Sequence, residues 1–591
     1  MNRPLHGAVL DAAGGATFRL WAPAAKTVDL VLDGPPRPMR PFGRGWFVLS
    51  VGDAGPGTRY RFRIDGKTIV PDPASAFQPD DVHGPSEVID HAYSWRADKW
   101  RGRPWHETIV LELHVGTFSQ GGTFRDAIAH LDHVVEAGFT AIELMPVADF
   151  SGRWNWGYDG VLLFAPDSRY GRPDDLRALV DAAHERGLMA LLDVVYNHFG
   201  PEGNYLSRYA PQFFTPEKAT PWGAAIDYAL PEVRAFATEN ALHWLEHYRF
   251  DGLRLDAVHA IARRGEPSIL EELSGAVGDL AKRSGRLIHL VLENDDNTAS
   301  LLDPRAEPPQ GKYRAQWNDD YHHVWHVLLT DETAGYYRDY AENPPDQLAR
   351  ILASGFAYQG ELSYHRDSAK RGEPSGALPP TAFVSFLQNH DQIGNRARGE
   401  RLDLLTEPEA IEAALAIMLL APMPPMMFMG EEWGSLRPFP FFCDFSGALA
   451  DAVRSGRKRE FAAAYRHEDR DGEVPDPLAE TTFRSAMLDW EAIGEPRHAA
   501  RLDLVKRLLR ARKHHVVPLL AGFERPQSSA RFRGARLNAS WAFEGGTLAL
   551  TANLSNEEID RGDEMAGALF WGGEAPPRLP AWSVFWTADK K

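Results

Sequence analysis

Between residues 109 and 430 the chain alternates short, nearly uninterrupted apolar runs with longer stretches whose apolar residues recur every three or four positions. The runs are Val110–Val115, Ala141–Met145, Met189–Val195, Leu253–Leu255, Ile288–Val291, Phe383–Phe386 and Met426–Phe428, and the periodic stretches predict helices over 123–137, 173–186 and 231–247. Apolar runs of this length suit strands buried on both faces, so the alternation predicts a parallel sheet covered by helices. A further strand at Tyr313–Trp317 brings the count to about eight, which favours a closed (β/α)8 TIM barrel over an open doubly wound sheet. No G-x-G-x-x-G or P-loop turn follows any strand, which weakens nucleotide-binding readings.

The rhythm differs at both ends. Thr17–Pro23, Thr27–Leu32, Trp46–Leu49 and Tyr60–Ile64 are short strand-like segments, and Asp65-Gly66 is a hairpin turn signal. They predict an N-terminal β-sandwich over 1–98, with Pro71–Pro85 as a Pro- and Asp-rich connector. The barrel occupies 99–515, its last long helix running from Arg501 to Lys513. Alternating segments such as Ala539–Phe543, Leu548–Leu554 and Trp582–Trp586 predict a C-terminal antiparallel β-domain over 516–591.

Composition changes this picture little. With 44% apolar and 25% charged residues the chain is an ordinary globular one, and a net charge of −18 argues against nucleic acid or an anionic membrane as partner. Cys443 is the single cysteine, which excludes an intramolecular disulfide and fits a reducing, cytoplasmic compartment. Met1–Asp11 shows no signal-peptide pattern. The uncharged stretch Ala413–Gly430 is long enough to raise a membrane span, but Pro422, Pro424 and Pro425 break it into a buried helix and a strand.

Barrel enzymes draw their chemistry from the C-terminal ends of strands. Those ends carry Asp193, Asn197 and His198, then Arg254 and Asp256, then Glu293, then His390 and Asp391, while the loop after the second strand adds Trp154 to Asp159. An acid at one strand end is usually a cap or a loop ion pair; several acids with two histidines and an arginine point to carboxylate catalysis without a cofactor. Arg254 lies two residues before Asp256, so both side chains share a face and the guanidinium holds Asp256 ionised, as a nucleophile requires. Glu293 has no basic neighbour in sequence, and nearby acids raise its pKa, as a general acid requires. Aromatic faces such as Trp156 and Tyr158 suit stacking on sugar rings. No His-x-His or H-E-x-x-H spacing supports a catalytic metal.

Asp193-Val194-Val195-Tyr196-Asn197-His198, Gly252-Leu253-Arg254-Leu255-Asp256, Leu292-Glu293-Asn294 and Asn389-His390-Asp391 resemble, in order, the four signature regions of the α-amylase superfamily of retaining glycosidases. Trp154–Val161, His198–Tyr205 and Gln388–Arg396 narrow the resemblance to the maltooligosyltrehalose trehalohydrolase family, which also carries both flanking β-domains. The resemblance implies Asp256 as nucleophile, Glu293 as general acid/base and Asp391 as the stabiliser that binds hydroxyls of the reacting ring. It further implies sugar contacts from Tyr158, His198, Arg254, His390, Trp156, Asp159 and Asn294, and no cofactor. The implied reaction is hydrolysis of the α-1,4 bond beside the terminal trehalose of maltooligosyltrehalose, in functional coupling with a maltooligosyltrehalose synthase. Glycogen branching enzymes, the alternative, usually have Ala-Glu-Glu and Ser-His-Asp where this chain has Leu-Glu-Asn and Asn-His-Asp. The aromatic loop and Glu431-Glu432-Trp433 are candidates for excluding ordinary maltooligosaccharides.

Overall fold

A computed structural model describes residues 5–12, 14–220, 223–261, 267–303, 312–461, 474–522, 525–562 and 565–590. Eight parallel strands form the centre: β1 (Val110–Leu113), β2 (Ala141–Leu144), β3 (Met189–Val194), β4 (Gly252–Leu255), β5 (His289–Leu292), β6 (Ala315–Trp317), β7 (Phe383–Val384) and β8 (Met426–Phe428). Each pairs with the next in order, and β8 returns to β1. Ser385 and Pro425 bridge β7 to β8, with the Met426 amide donating to the Ser385 carbonyl at 2.9 Å, so the ring closes.

Strand alternation divides the barrel interior into layers. Trp105, Val110, Ala141, Leu191, Val291, Val384, Phe386 and Met426 belong to one buried apolar cluster. One position further along the same inward faces stand Glu112, Glu143, Asp193 and Arg254, each at most 2% exposed. Glu112 and Glu143 are direct neighbours across β1 and β2, as are Asp193 and Arg254 across β3 and β4. The apolar floor therefore carries a charged layer just below the C-terminal mouth.

The predicted helix 123–137 is two helices, Phe124–Ile128 and Leu131–Ala137. At the break the His130 ring lies flat on Trp490, centroids 3.8 Å apart. The last long helix starts earlier than predicted, at Pro496, which takes a first-turn position where no amide hydrogen is needed. It runs to Ala511 and continues through a wider turn at Arg512–Val516. That turn points the buried Arg512 at the carbonyls of Leu419, Ala421 and Met423, at 3.1, 2.5 and 2.8 Å. Arg512 thus satisfies carbonyls at the end of the apolar helix Pro408–Leu420, which the structure buries. No helix among the described residues is long and apolar enough to cross a membrane.

N-terminal to the barrel, two antiparallel sheets pack as a sandwich, one around Ala16–Trp21 and Trp46–Val51, the other around Val28–Val31 and Arg59–Ile64. In the turn that joins Ile64 to its strand partner Thr68, Asp65 and Gly66 have φ of 49° and 66°, and the Lys67 amide donates to the Ile64 carbonyl at 3.0 Å. The connector reaches the barrel mouth, where Tyr205 bonds the His83 ring at 2.8 Å. C-terminally, Gln527–Arg533, Arg536–Phe543, Gly546–Asn553, Ala568–Trp571 and Val584–Lys590 make a five-stranded antiparallel sheet.

Candidate active site

Arg254 organises the mouth. Its Nη1 donates to Asp193 Oδ2 and to Asp256 Oδ1, both at 2.7 Å, and its guanidinium carbon sits 4.1 Å above the Trp317 ring. The side chain is fully buried, so the cation depends on these partners. Tyr158 donates its hydroxyl to the same Asp193 oxygen at 2.6 Å. Asn197 Nδ2 donates to Asp256 Oδ2 at 2.8 Å and to the Asp256 carbonyl at 3.0 Å. Burial alone would raise the Asp256 pKa, but the Arg254 charge, His198 and these hydrogen bonds outweigh it and hold the carboxyl below its usual 3.8.

Glu293 differs. Burial pushes its carboxyl well above the usual 4.5, and Asp319, Asp256 and Asp391 add to the rise. Sequence suggested that no cation stands near it; in the fold Arg254 Nη2 lies 3.9 Å from Glu293 Oε2 and opposes the shift without reversing it. Strand neighbours β4 and β5 bring together what the chain keeps 39 positions apart in the sequence. The Ala257 amide donates to Glu293 Oε2 at 2.6 Å, leaving Oε1 to carry a proton. Ala257, immediately after Asp256, takes φ 42° and ψ 50°, a left-handed conformation unusual for a residue with a Cβ.

Asp391 stands at the start of the short helix His390–Gly394, with its side chain 48% exposed. Asn389 Oδ1 accepts from the Asp391 amide at 2.9 Å and fixes the turn. His390 Nε2 is 3.6 Å from Asp391 Oδ1, and its Nδ1 is 2.5 Å from Glu112 Oε1. Burial opposes a charged ring, yet the Glu112 and Asp391 charges prevail and raise His390 to about 9, so it is an imidazolium near neutrality. Tyr158 stacks on this ring, centroids 5.0 Å apart. Burial, with the charges of Asp193 and Glu112 beside it, raises the Glu143 carboxyl well above 4.5.

The structure thus gathers Asp256, Glu293, Asp391, Arg254, His390 and Tyr158 at one mouth. His198 is 2% exposed, with Nε2 2.9 Å from the Tyr158 carbonyl and Nδ1 against Asn197 Oδ1. Trp156, Asp159 and Asn294 lie beneath the surface, at 4%, 6% and 0% exposure. Trp156 donates to the Pro440 carbonyl at 3.2 Å, Asp159 accepts from Asn155 at 2.7 Å, and Asn294 accepts from the Asp296 amide at 3.2 Å. Of the aromatic loop only Tyr158 faces the mouth; Gly157, at φ 104°, lets the turn pass so close to Pro146 that a Cβ would meet its carbonyl at 2.0 Å. Glu431, Glu432 and Trp433 are also buried, Glu431 accepting the Phe428 amide and Glu432 bonding His133, so they do not line the mouth.

Sequence reasoning missed Glu112, Glu143, Trp317 and Asp319. Glu112 and Glu143 did leave a signal, since each is a lone acid in the middle of an apolar strand. Away from the mouth, near the C-terminal end of the helix Pro231–His247, His91, His243 and His247 each bring a ring nitrogen within 4.8 Å of the others. Arg177 donates to His91 Nδ1 at 2.9 Å, which engages that nitrogen and sets a cation beside the cluster.

Residues 96–221 match the model of the alpha amylase catalytic domain, and residues 5–80 match carbohydrate-binding module 48, the isoamylase N-terminal domain. The malto-oligosyltrehalose trehalohydrolase of Deinococcus radiodurans is 42% identical over 516 residues, 86% of this chain and 82% of that protein. A crystal structure of an alpha amylase candidate from Salmonella typhimurium superposes with TM-score 0.94 at 44% identity, covering 99% of this chain and all of that one. A 1,4-alpha-glucan branching enzyme of Mycobacterium tuberculosis is 37% identical but matches only 41% of this chain and 37% of its own length.

Proposed function

Because the chain belongs to the malto-oligosyltrehalose trehalohydrolase family, we propose that it hydrolyses the α-1,4 bond next to the terminal trehalose of maltooligosyltrehalose by double displacement. The observation that carries the mechanism is the divergence of two acids around one guanidinium. Asp256, bonded to Arg254 and Asn197, is kept ionised and aimed; Glu293, buried and ringed by acids, keeps its proton.

Asp256 attacks the anomeric carbon while Glu293 protonates the departing oxygen, which releases trehalose and leaves a glycosyl ester. Glu293, now a carboxylate, takes a proton from water, and the activated water breaks the ester and frees the maltooligosaccharide. In this reading Asp391, whose side chain is 48% exposed, and the imidazolium of His390 beside it bind hydroxyls of the reacting ring, and Tyr158, which stacks on His390, meets the sugar as an aromatic face. Asp193 anchors Arg254 from below, and Glu112 keeps His390 charged. No step in this scheme draws on a cofactor. We assign residues 1–98, 99–515 and 516–591 to sandwich, catalytic barrel and C-terminal β-domain.

A substrate with a trehalose end must come from an enzyme that rearranges the reducing end of a maltooligosaccharide, so a maltooligosyltrehalose synthase working in the same cytoplasm fits as the supplying partner. The test is product analysis of the purified enzyme on maltooligosyltrehalose. Free trehalose is expected; new α-1,6 branches in amylose without trehalose would assign it to the branching transferases instead.

A further inference from the structure

A cavity of about 190 Å³ opens beside Glu293 and Asp391 and is not lined by Asp256. In double displacement the nucleophile stands on one side of the anomeric centre and the acid on the leaving-group side. A cavity that meets the acid but not the nucleophile therefore receives the sugar that departs. Its outer wall comes from the segment 331–375, which carries the small hairpin Glu361–Ser363 and Ala369–Arg371.

Most polar groups of that wall are already spent on one another. Asp339 accepts from the Ser363 hydroxyl at 2.5 Å and from the His365 amide at 2.9 Å. Asp295 is clamped by Arg366 and by Arg371, the latter at 2.9 Å. Two cavity-lining groups differ. Asp319, first residue of the helix Asp319–Thr330, has a carboxylate with no hydrogen-bond or ion-pair partner among the described residues. His323, 9% exposed, has a buried Nδ1 without a hydrogen-bond partner. The two are four residues apart on one helix and so share a face.

Asp319 is partly buried with carboxylate oxygens that no group among the described residues engages, and His323 keeps one ring nitrogen unbonded, so hydroxyl groups arriving there meet groups not already committed. We propose that Asp319 and His323 bind hydroxyls of the departing sugar and thereby select which α-1,4 bond is cut. Resting on the reading above, this makes them the residues that recognise the trehalose end: a non-reducing disaccharide presents only hydroxyls and ring oxygens, which a hydroxyl acceptor in a confined cavity can read. Burial and the neighbouring acids Asp295 and Asp391 also push the Asp319 carboxyl upward, so it can donate as well as accept.

The experiment compares two substrates that share the sugar bound on the nucleophile side and differ in what leaves: maltooligosyltrehalose and a 4-nitrophenyl α-maltooligoside. Both are assayed on the plateau of the pH profile with wild type, D319A and D319N. D319A is expected to lower kcat/KM for maltooligosyltrehalose about 10- to 100-fold, the loss of one charge-assisted hydrogen bond. D319N, which keeps an acceptor oxygen, should recover part of the loss. The aryl maltooligoside, whose leaving group offers no hydroxyls, should change less than about threefold, with Tm unaltered. Equal losses on both substrates, or no loss on maltooligosyltrehalose, would overturn the assignment. A wild-type enzyme that frees no trehalose would instead refute the substrate reading; the same ratio is then measured on the maltooligosaccharide it does cleave, and decides the cavity's role unchanged.

Discussion

Two aspartates bracket the strand β4, and only one of them reaches the mouth. Asp251, just before the strand, is fully buried and fully served: His184 Nε2 and the Ala190 amide at 2.9 Å, Trp100 Nε1 at 2.8 Å, and Arg286 Nη2 at 3.6 Å. Asp256, just after it, belongs to a cluster short of partners, where Asp193 Oδ1, Glu143 Oε1 and the Nε and Nη2 of Arg254 make no hydrogen bond. Both carboxyls are held below 3.8 against the opposing effect of burial. The partners of Asp251 also keep unbonded atoms, His184 Nδ1 and Arg286 Nε, so what differs is access: the Asp251 side chain is 0% exposed and that of Asp256 15%, at the mouth where substrate arrives. Access to the mouth, and not charge, separates a structural acid from a working one here.

The largest effect that tests this contrast comes from Asp256→Asn. Turnover measured as released trehalose should fall at least about a thousandfold, because no carboxylate remains to attack, while Tm stays within a few degrees. Near-normal turnover would remove Asp256 from the role assigned to it. At the other end of β4, Asp251→Asn should leave the kcat of the folded enzyme intact but cost about 3–5 kcal/mol in denaturant unfolding, since Arg286 loses its buried counter-charge. An unchanged unfolding midpoint would erase the distinction. The stabilisation from wild-type Asp251 is present above its unfolded pKa, near 3.8, and fades as pH falls through its lowered folded value.

The smallest effect is a shape. Activity needs Asp256 ionised and Glu293 protonated, so the acid limb of the kcat/KM profile should lie below 3.8 and the alkaline limb well above 4.5. In Glu293→Gln the alkaline limb should vanish from the residual hydrolysis of an aryl maltooligoside, whose leaving group needs no proton. A limb that persists there would belong to another group.

The acids at strand ends were legible in the chain because a buried parallel strand announces itself as an apolar run, and a carboxylate that closes such a run has little else to do. The closed barrel followed from counting those runs. What could not be read was lateral: Arg254 serves Glu293 as well as Asp256 because β4 and β5 are neighbours, a relation between segments and not within one. Asp319 and His323 escaped for the same reason, as their meaning depends on a wall supplied by the segment 331–375. That Trp156 and Asn294 lie beneath the surface could not be read either, since residues that prop a loop and residues that protrude from it share one motif. The helix 123–137 was read as continuous because its apolar period does not register a break.

Ala257 has a mechanical consequence. Its backbone, held in a conformation that costs an alanine about 1–2 kcal/mol, carries the amide that grips Glu293, while the same residue is joined to Asp256 by a peptide bond. One rigid planar unit therefore sets the gauge between attacker and proton donor, instead of two side chains each free to drift. Loops over the mouth can open, close or be redesigned, and the gap between the two carboxyls travels with the main chain, not with them.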